Sequence, residues 1–243
     1  MLIETMGMEL HPLTFPEAAM ADFDFAYHVM WESVPMLMEG LRYTIIITAG
    51  GLFFGFILGV ASGLMKLSRN PILPRIAGVY IESIRGTPLM VQVMFLYFGL
   101  PLLLGMRIPP LTASIIAIAV NAGAYIAEVV RGAVQSIEKG QVEAGRSIGL
   151  SRSQTMLYIV WPQAFRRMIP PLGNQFIISL KDTSLLVVIG MGELTRTGQE
   201  IIADNFRAFE VWLTVAIIYL AITRTLSYAL SVLERRMSVS ERS

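Results

Sequence analysis

The sequence predicts an all-α integral membrane protein with five transmembrane helices. Of its 243 residues, 54% are hydrophobic and 15% are charged, and the mean hydropathy is +0.61, whereas soluble domains carry about 25% charged residues. Five apolar runs are long enough to cross a hydrocarbon layer of ~30 Å, which takes about 20 helical residues. Segments of that length satisfy their backbone hydrogen bonds in lipid only as helices.

The apolar runs define the predicted spans, and polar or proline-containing turns separate them. The spans are, in chain order, residues 41–65, 76–104, 111–130, 170–189 and 211–233. The second run is too long for one straight span and is interrupted at Gly86-Thr87-Pro88, so we expect a membrane-entering or interfacial segment, a break, and a span from Pro88 to Leu104. The fourth opens around Pro170-Pro171, because a first helical turn tolerates proline. Between the last two spans we expect a loop that carries a short helix.

Three parts are predicted along the chain: an extracytoplasmic or interfacial N-terminal tail (1–40), a transmembrane domain (41–235) and a cytoplasmic C-terminal tail (236–243). The first 40 residues contain seven acidic residues and no Lys or Arg, so they lack the basic start of a cleavable signal peptide. An aromatic cluster favours the end of this tail at a membrane surface, with an unstructured tail as the alternative. The cluster comprises Phe23, Phe25, Tyr27 and Trp31.

Glycine residues recur about every four positions in the first predicted span. The stripe comprises Gly51, Gly55, Gly59 and Gly63, with Gly50 beside it. Small residues at this spacing let another helix approach closely. The stripe is either ordinary packing within the membrane domain or the seam of a dimer.

The distribution of basic residues predicts the orientation in the membrane. Most of the 19 Lys and Arg residues lie after the first span, between the third and fourth spans, and after the fifth. Cytoplasmic segments of membrane proteins carry an excess of Lys and Arg. We therefore expect the N-terminus outside and the C-terminus in the cytoplasm.

Several kinds of chemistry find no support in the sequence. No cysteine is present, which excludes disulfides and thiolate metal sites, and the two histidines, His11 and His28, both lie near the N-terminus. A Walker A loop requires glycine directly before lysine, but the three lysines follow Met65, Glu138 and Leu180. No serine in the spans has a paired histidine. We expect a non-catalytic chain without metal or cofactor, which takes its energy from a separate protein.

A polar segment, residues 141–162, separates the third and fourth spans on the predicted cytoplasmic side. Gly149 divides it, and Ser151 with Gln154 forms a capping box typical of a helix start, so we expect two short helices joined at the glycine. The first helix combines small residues, which let a partner approach, with two charges three residues apart that can pair or reach outward. These are Ala144 and Gly145, and Glu143 and Arg146. The segment therefore has the features of a docking site for another protein.

The same segment resembles the EAA loop of bacterial ABC-importer permeases. That loop reads Glu-Ala-Ala, three residues, Gly, nine residues, Ile, one residue and Leu-Pro. This chain has, at the same spacing, Glu143-Ala144-Gly145, Gly149, Ile159 and Trp161-Pro162. Gly145 and Trp161 depart from the pattern. The flanking stretches Arg85-Gly-Thr-Pro88 and Lys181-Asp-Thr-Ser-Leu185 are similar to the polar-amino-acid branch of the family, and the resemblance covers residues 41–235.

The resemblance implies the type I, MetI-like permease architecture and a set of partners. These are two ATP-binding subunits that bind ATP and Mg²⁺, a second permease subunit, identical or homologous, and an extracytoplasmic solute-binding protein. It also implies a multi-pass protein of the bacterial cytoplasmic (inner) membrane that binds no nucleic acid. The residues expected to couple it to the ATPase are Glu143, Ala144, Gly145 and Gly149.

Polar residues within the apolar runs are the candidates for substrate binding. Lys181 and Asp182 lie about 21 Å beyond Arg167 at ~1.5 Å per residue, past the middle of the membrane, where an ion is costly unless it faces protein or water. These two residues either bind the solute or pair with polar groups on neighbouring helices. At the break, Thr87 is a plausible N-cap and Pro88 a first helical residue, so with Arg85 they form an anion seat; an interfacial turn with a snorkelling arginine is the alternative.

Two amides and a threonine complete the candidate set. Asn121 either forms a cross-helix hydrogen bond or lines a cavity. The full set is Arg85, Thr87, Gln92, Asn121, Lys181, Asp182 and Thr183. Glu128 and Arg131, three residues apart, are expected to pair within their helix, where they can also act in gating.

A cationic group for a carboxylate and an acidic group for an ammonium suit a zwitterion. Taken with the resemblance to ABC-importer permeases, which implies an ATP-driven importer working by alternating access, we expect the transmembrane subunit of an importer that moves a polar amino acid. The alternatives are an opine, cystine or another small zwitterion as the solute, or, in a different class, a passive channel or a membrane scaffold. The absence of a catalytic cluster in the sequence disfavours a membrane enzyme.

Overall fold

A computed structural model describes residues 24–239, with side chains as far as Arg235, and in this range all regular structure is helical. The helices are α1 (Tyr27–Lys66), α2 (Ile72–Arg85), α3 (Leu89–Met94), α4 (Leu100–Leu104), α5 (Pro110–Gln135), α6 (Lys139–Ser147), α7 (Arg152–Thr155), α8 (Trp161–Asp182), α9 (Leu194–Asn205) and α10 (Ala208–Val239). Two π-helical turns join α3 to α4 and α7 to α8, and a 3₁₀ turn, Thr183–Ile189, continues α8.

The helices account for the five predicted spans. Four of them are long and apolar enough to cross a membrane: α1, α5, the continuous run from α7 to the 3₁₀ turn, and α10. The fifth candidate is α2 together with α3 and α4, a pair of segments bent by 104° at Gly86–Pro88. The predicted interruption of the second span is therefore confirmed as a sharp bend between two helices.

The first helix begins at Tyr27, well before the expected start at Leu41. A hydropathy window misses this extension because Glu32 and Glu39 lower the average, although both point outward from the helix. The inward face carries Val29, Ser33, Leu37 and Leu41, and with Leu194, Ile201 and Val211 it forms a core between α1, α9 and α10. Residues 27–40, assigned to the N-terminal tail, thus belong to α1. Phe23 lies outside the described residues.

A buried carboxylate holds the start of α1 against α10. Glu210 is 1% exposed, and its Oε1 accepts a hydrogen bond of 3.0 Å from the Ala26 backbone N–H. The Arg207 guanidinium lies 3.6 Å from the same carboxylate. Because Ala26 immediately precedes the helix, this contact fixes where α1 enters the bundle.

The glycine stripe of α1 packs against α5 within the same chain. A Cβ atom at Gly59 would lie 2.6 Å from Ile126 Cβ, and one at Gly63 would lie 2.8 Å from Val130 Cβ. Backbone oxygens of α5 are equally close, since Gly123 O would lie 2.9 Å from a Cβ at Gly59. This face of α1 is therefore occupied by α5, and it is not available as a dimer seam.

The fourth span does not open at Pro170-Pro171, because one continuous helix runs from Arg152 through both prolines to Asp182. The expected second short helix of the polar segment is the beginning of this long helix. A π turn, Met156–Val160, ends two residues before Pro162. Proline lacks an N–H and crowds the carbonyl four residues earlier, and a widened turn relieves that conflict.

The loop before the last span contains the expected short helix, α9, whose N-cap is the fully buried Glu193. Its carboxylate accepts hydrogen bonds from Thr195 N at 3.0 Å and Arg196 N at 2.8 Å. Burial raises the pKa of the Glu193 carboxyl above its usual range, and these two N–H groups oppose the rise. Leu194 N donates to Thr44 Oγ1 at 3.2 Å, which ties α9 to the middle of α1.

Candidate functional site

The bend between α2 and α3 is stabilised by one side chain. Gln92 Nε2 donates hydrogen bonds to Ile84 O at 2.7 Å and to Thr87 O at 3.0 Å, two carbonyls at the break, and it lies 3.0 Å from Thr87 Oγ1. The sequence predicts Thr87 as the N-cap of α3, and this prediction is wrong. Pro88 occupies that position with an extended backbone, and Thr87 Oγ1 donates back to Ser83 O at 2.9 Å.

A cavity of about 510 Å³ opens beside this bend. This volume lies within the range of ~300–1,000 Å³ that is usual for small-molecule sites. Four of the predicted substrate-binding residues line it: Arg85, Thr87, Asn121 and Asp182. Residues from α2, the bend, α5 and α8 therefore converge on one space, although they lie far apart in the sequence.

Arg85 lies at one wall of the cavity among partners from α5. Its guanidinium carbon is 5.4 Å from the centroid of the Tyr125 ring, and Nη1 is 3.8 Å from Glu128 Oε2. The Glu128 carboxylate is held much more firmly by Arg131, at 2.6 Å and 3.1 Å. Since hydrogen bonds are short and directional, Arg85 is the loosely held member of this group. Another carboxylate can therefore replace Glu128 at Arg85 at low cost.

The three consecutive candidates at the end of α8 point in different directions. Asp182 is half-buried and lines the cavity. Thr183 is fully buried and its Oγ1 donates to Leu180 O at 2.7 Å, so its hydroxyl proton is already used. Lys181 is exposed and is not among the residues that line the cavity.

Lys181 instead continues a polar stripe along the outside of α8. Arg167, Asn174 and Lys181 recur every seven residues, which places them on one helix face, and all three are exposed. We call these three residues the α8 polar stripe. A stripe of this kind is not suited to lipid, because an intramembrane charge faces protein or water.

The predicted cross-helix hydrogen bond of Asn121 is present, and its partner is Gln92. Asn121 Nδ2 donates to Gln92 Oε1 at 3.0 Å. Only Asn121 of this pair lines the 510 Å³ cavity. Gln92 lines a second cavity, a mostly apolar space of about 380 Å³ beside the same bend.

Two polar residues of the cavity lining do not follow from the sequence analysis, Tyr125 and Gln175. Each lies on the same helix face as a residue that was identified. Tyr125 follows Asn121 by four positions, and Gln175 precedes Asp182 by seven. Helical periodicity applied to those two residues would have found them.

The polar segment forms the expected helix, glycine joint and capped helix start. Gln154 N donates to Ser151 Oγ at 3.3 Å and Ser151 N to Gln154 Oε1 at 2.8 Å, which confirms the capping box. Gly149 has a φ of 90°, in the left-handed region that favours glycine. These contacts give the segment a defined shape outside the bundle.

The outward face of α6 differs from expectation at one position. Glu143 and Ala144 are exposed, but Gly145 is buried. A Cβ at Gly145 would lie 2.5 Å from Ile159 Cδ1, so this glycine makes room for the chain's own helix. Arg146 does not pair with Glu143, since its Nη1 donates to Leu150 O at 2.7 Å. The exposed coupling candidates on α6 are thus Glu143 and Ala144, and Gly149, just beyond the helix, is exposed as well.

Within residues 24–239, no group of three or more His, Asp or Glu side chains is arranged to hold a metal ion. The charged groups at the cavity are one arginine and one carboxylate, which bind organic ions of opposite charge. A space with one charged group of each sign has the chemistry to receive a small polar molecule.

Comparison with known proteins gives consistent matches over most of the chain. Residues 51–239 match the family described as binding-protein-dependent transport system inner membrane component. The glutamine transport system permease protein GlnP of Escherichia coli (strain K12) is 53% identical over 216 residues, which cover 88% of this chain and 99% of that protein.

Solved structures agree with these matches. A crystal structure of an amino acid ABC transporter with histidines superposes with a TM-score of 0.84 at 38% identity, covering 88% of this chain and 99% of that one. The MetNI methionine ABC transporter, in an inward-facing conformation, has a TM-score of 0.73 at 22% identity, which supports the fold alone. The helical architecture, the capped EAA-like segment and these matches agree. The chain belongs to the inner membrane components of binding-protein-dependent transport systems, the permease subunits of ABC importers.

Proposed function

We propose that this chain is the transmembrane subunit of an ATP-driven importer for a polar amino acid, and that glutamine is its solute. The observation that carries the proposal is the cavity that brings Arg85 and Asp182 together from α2 and α8. One cation and one anion in a single space match the carboxylate and the ammonium of an amino acid. The choice of glutamine is supported by the 53% identical glutamine permease and by the neutral amides of Asn121 and Gln175.

The solute carboxylate binds to Arg85 in this proposal. Arg85 Nη1 is 3.8 Å from Glu128, beyond hydrogen-bond distance, whereas Arg131 holds Glu128 at 2.6 Å. A solute carboxylate therefore displaces Glu128 from Arg85 without leaving Glu128 unpaired. Asp182 receives the ammonium.

Energy comes from two ATP-binding subunits, which bind the ATP and Mg²⁺ that this chain does not. Their docking site is the exposed face of α6 with Glu143 and Ala144. The left-handed Gly149 separates α6 from the long helix that ends at Asp182. A push on α6 is thereby transmitted to the helix that carries one wall of the cavity, which is the motion that alternating access requires.

A second permease subunit covers the α8 polar stripe. Lys181 is exposed about 21 Å along the helix from Arg167, at ~1.5 Å per residue, where lipid contact is unfavourable. A partner subunit and a water-filled path between the two subunits remove that cost. An extracytoplasmic binding protein delivers the solute, and the excess of basic residues in the segment around α6 supports a cytoplasmic position for the docking face.

The proposal is tested with the complete assembly of permease, ATPase subunits and solute-binding protein in proteoliposomes. Labelled glutamine uptake that depends on ATP is the expected result, and uptake without ATP would identify a passive channel. Arg85→Ala and Asp182→Asn should each abolish uptake, because each removes one charge of the recognition pair. Asp204→Asn, an exposed carboxylate at the end of α9, is the matched control and should transport normally.

ATPase docking has a separate test. Glu143→Ala should release the ATPase subunits during purification, whereas Glu138→Ala, an exposed glutamate at the start of the same helix, should retain them. Retention by both variants would remove Glu143 from the docking site.

A further inference from the structure

The amide groups of Gln92 and Asn121 form a chain whose direction is set by the backbone of the bend. The carbonyls of Ile84 and Thr87 can only accept hydrogen bonds, so the amide nitrogen of Gln92 has to face them, at 2.7 Å and 3.0 Å. Gln92 Oε1 is then turned toward α5. Both N–H groups of Gln92 are used, and this side chain has no donor left for a solute.

The orientation of Asn121 follows from that of Gln92. An amide oxygen faces Asn121, so Asn121 has to present its nitrogen, and Nδ2 donates to Gln92 Oε1 at 3.0 Å. The Oδ1 atom of Asn121 is consequently turned away from Gln92. Two backbone carbonyls in α2 and the bend thus determine which end of an amide on α5 faces the cavity.

Asn121 Oδ1 is available to a ligand. Asn121 is only 7% exposed and lines the 510 Å³ cavity. Among the described residues, every fully buried side-chain nitrogen or oxygen has a hydrogen-bond partner, yet none of these residues donates to Asn121 Oδ1. The oxygen therefore retains access to open space, and the cavity is the space that Asn121 lines.

We propose that Gln92 is a positioning residue that locks Asn121 with its oxygen toward the cavity, and that this oxygen selects a solute whose side chain ends in a primary amide. The inference rests on the proposed function, in which Arg85 and Asp182 bind the two charged groups of the amino acid and leave Asn121 for the side chain. The side-chain amide of such a solute donates an N–H to Asn121 Oδ1. A side-chain carboxylate has no donor for this oxygen, so the two acceptors repel each other and the solute is rejected.

The test measures solute preference in the permease–ATPase complex without the solute-binding protein, because that protein has its own selectivity. Glutamine and glutamate are titrated into the complex in nanodiscs by calorimetry, and the wild type should prefer glutamine. Gln92→Met removes both donors at similar size, which lets Asn121 turn its N–H groups toward the cavity. The preference should fall about fivefold, the factor that one neutral hydrogen bond typically contributes.

A ratio of affinities separates this role from general damage to the bend, which would weaken both solutes equally. Gln163→Met is the matched control, since Gln163 Nε2 also donates to a backbone carbonyl, Ile159 O at 2.8 Å, away from the cavity. Its ratio should not change. In an Asn121→Leu background, Gln92→Met should have no additional effect on the ratio, because Gln92 acts only through Asn121.

Asn121→Asp gives a second route if Gln92→Met does not assemble. An aspartate keeps an acceptor toward the cavity, although its other oxygen faces Gln92 Oε1 and loses that hydrogen bond. It should therefore keep or increase the preference for glutamine, while Asn121→Leu should lose it. Equal losses in these two variants, an unchanged ratio in an assembled Gln92→Met, or no glutamine preference in the wild type would each overturn the inference. Failure of ATP-dependent amino acid uptake by the complete assembly would instead overturn the proposed function.

Discussion

Replacing Gly59 by alanine tests the contact between α1 and α5, around which the bundle is built. The added Cβ would lie 2.6 Å from Ile126 Cβ and 2.9 Å from Gly123 O. Neither atom is the end of a flexible side chain, so α1 has to move outward by roughly 1 Å to reach an ordinary contact distance. Overpacking of this kind costs about 1–3 kcal/mol, against a gain in helix propensity of up to about 1 kcal/mol.

The matched control is Gly132→Ala in α5, where an added Cβ would have no atom within 4 Å. Only the propensity gain applies there, so this variant should be slightly more stable than the wild type. Because both variants share the propensity gain, they should differ by the overpacking cost of about 1–3 kcal/mol in the free energy of unfolding, with Gly59→Ala the less stable. Denaturant titration of both proteins in detergent, followed by circular dichroism, measures this difference. Equal stabilities would mean that α1 does not pack on α5 through its glycines.

Three further predictions concern single side chains. Ser151→Ala removes the capping box and should lower the free energy of unfolding by about 1 kcal/mol in the same titration. An unchanged free energy would mean that the cap does not stabilise this helix start. Glu128→Gln should tighten glutamine binding about two- to fivefold in calorimetry, because Arg85 loses its competing carboxylate 3.8 Å away, and weaker binding would argue that Glu128 orients Arg85. Glu193→Gln removes a carboxyl whose pKa burial raises. A raised folded-state pKa stabilises the protein below the unfolded-state value, and that contribution is lost as the pH rises through the folded-state value. The wild type should therefore lose stability relative to Glu193→Gln as the pH rises above the usual range of glutamate pKa values. If the unfolding midpoints of the two proteins differ by the same amount at every pH, the prediction is contradicted.

Features that depend on neighbouring residues were predicted correctly. The five apolar runs, the Ser151–Gln154 capping box and the break at Gly86–Pro88 all follow from length, spacing or backbone chemistry within one segment. The Glu128–Arg131 pair is also local, since the two residues lie three positions apart on one helix. The order of the helices and the location of the polar segment followed from the same local rules.

Features that depend on packing between distant parts of the chain were not predicted correctly from the sequence. The start of α1 at Tyr27 requires the contact of Ala26 with Glu210, which lies 184 positions further along the chain. Lys181 and Asp182 are adjacent in the sequence, yet only Asp182 lines the cavity. One residue of helix rotates the side-chain direction by about 100°, so adjacent residues separate as soon as one face is covered.

The sequence by itself determined that the chain is helical, crosses a membrane and carries a capped polar segment between its third and fourth spans, because hydrophobicity and capping act over a few residues. It also identified the polar residues that interrupt the apolar runs. Only the tertiary structure decided that the glycines of α1 pack against α5, and that Arg85, Asn121 and Asp182 line one cavity. The physical reason is that burial and hydrogen bonding between helices depend on which faces meet, and that is a property of the packed bundle and not of any one segment.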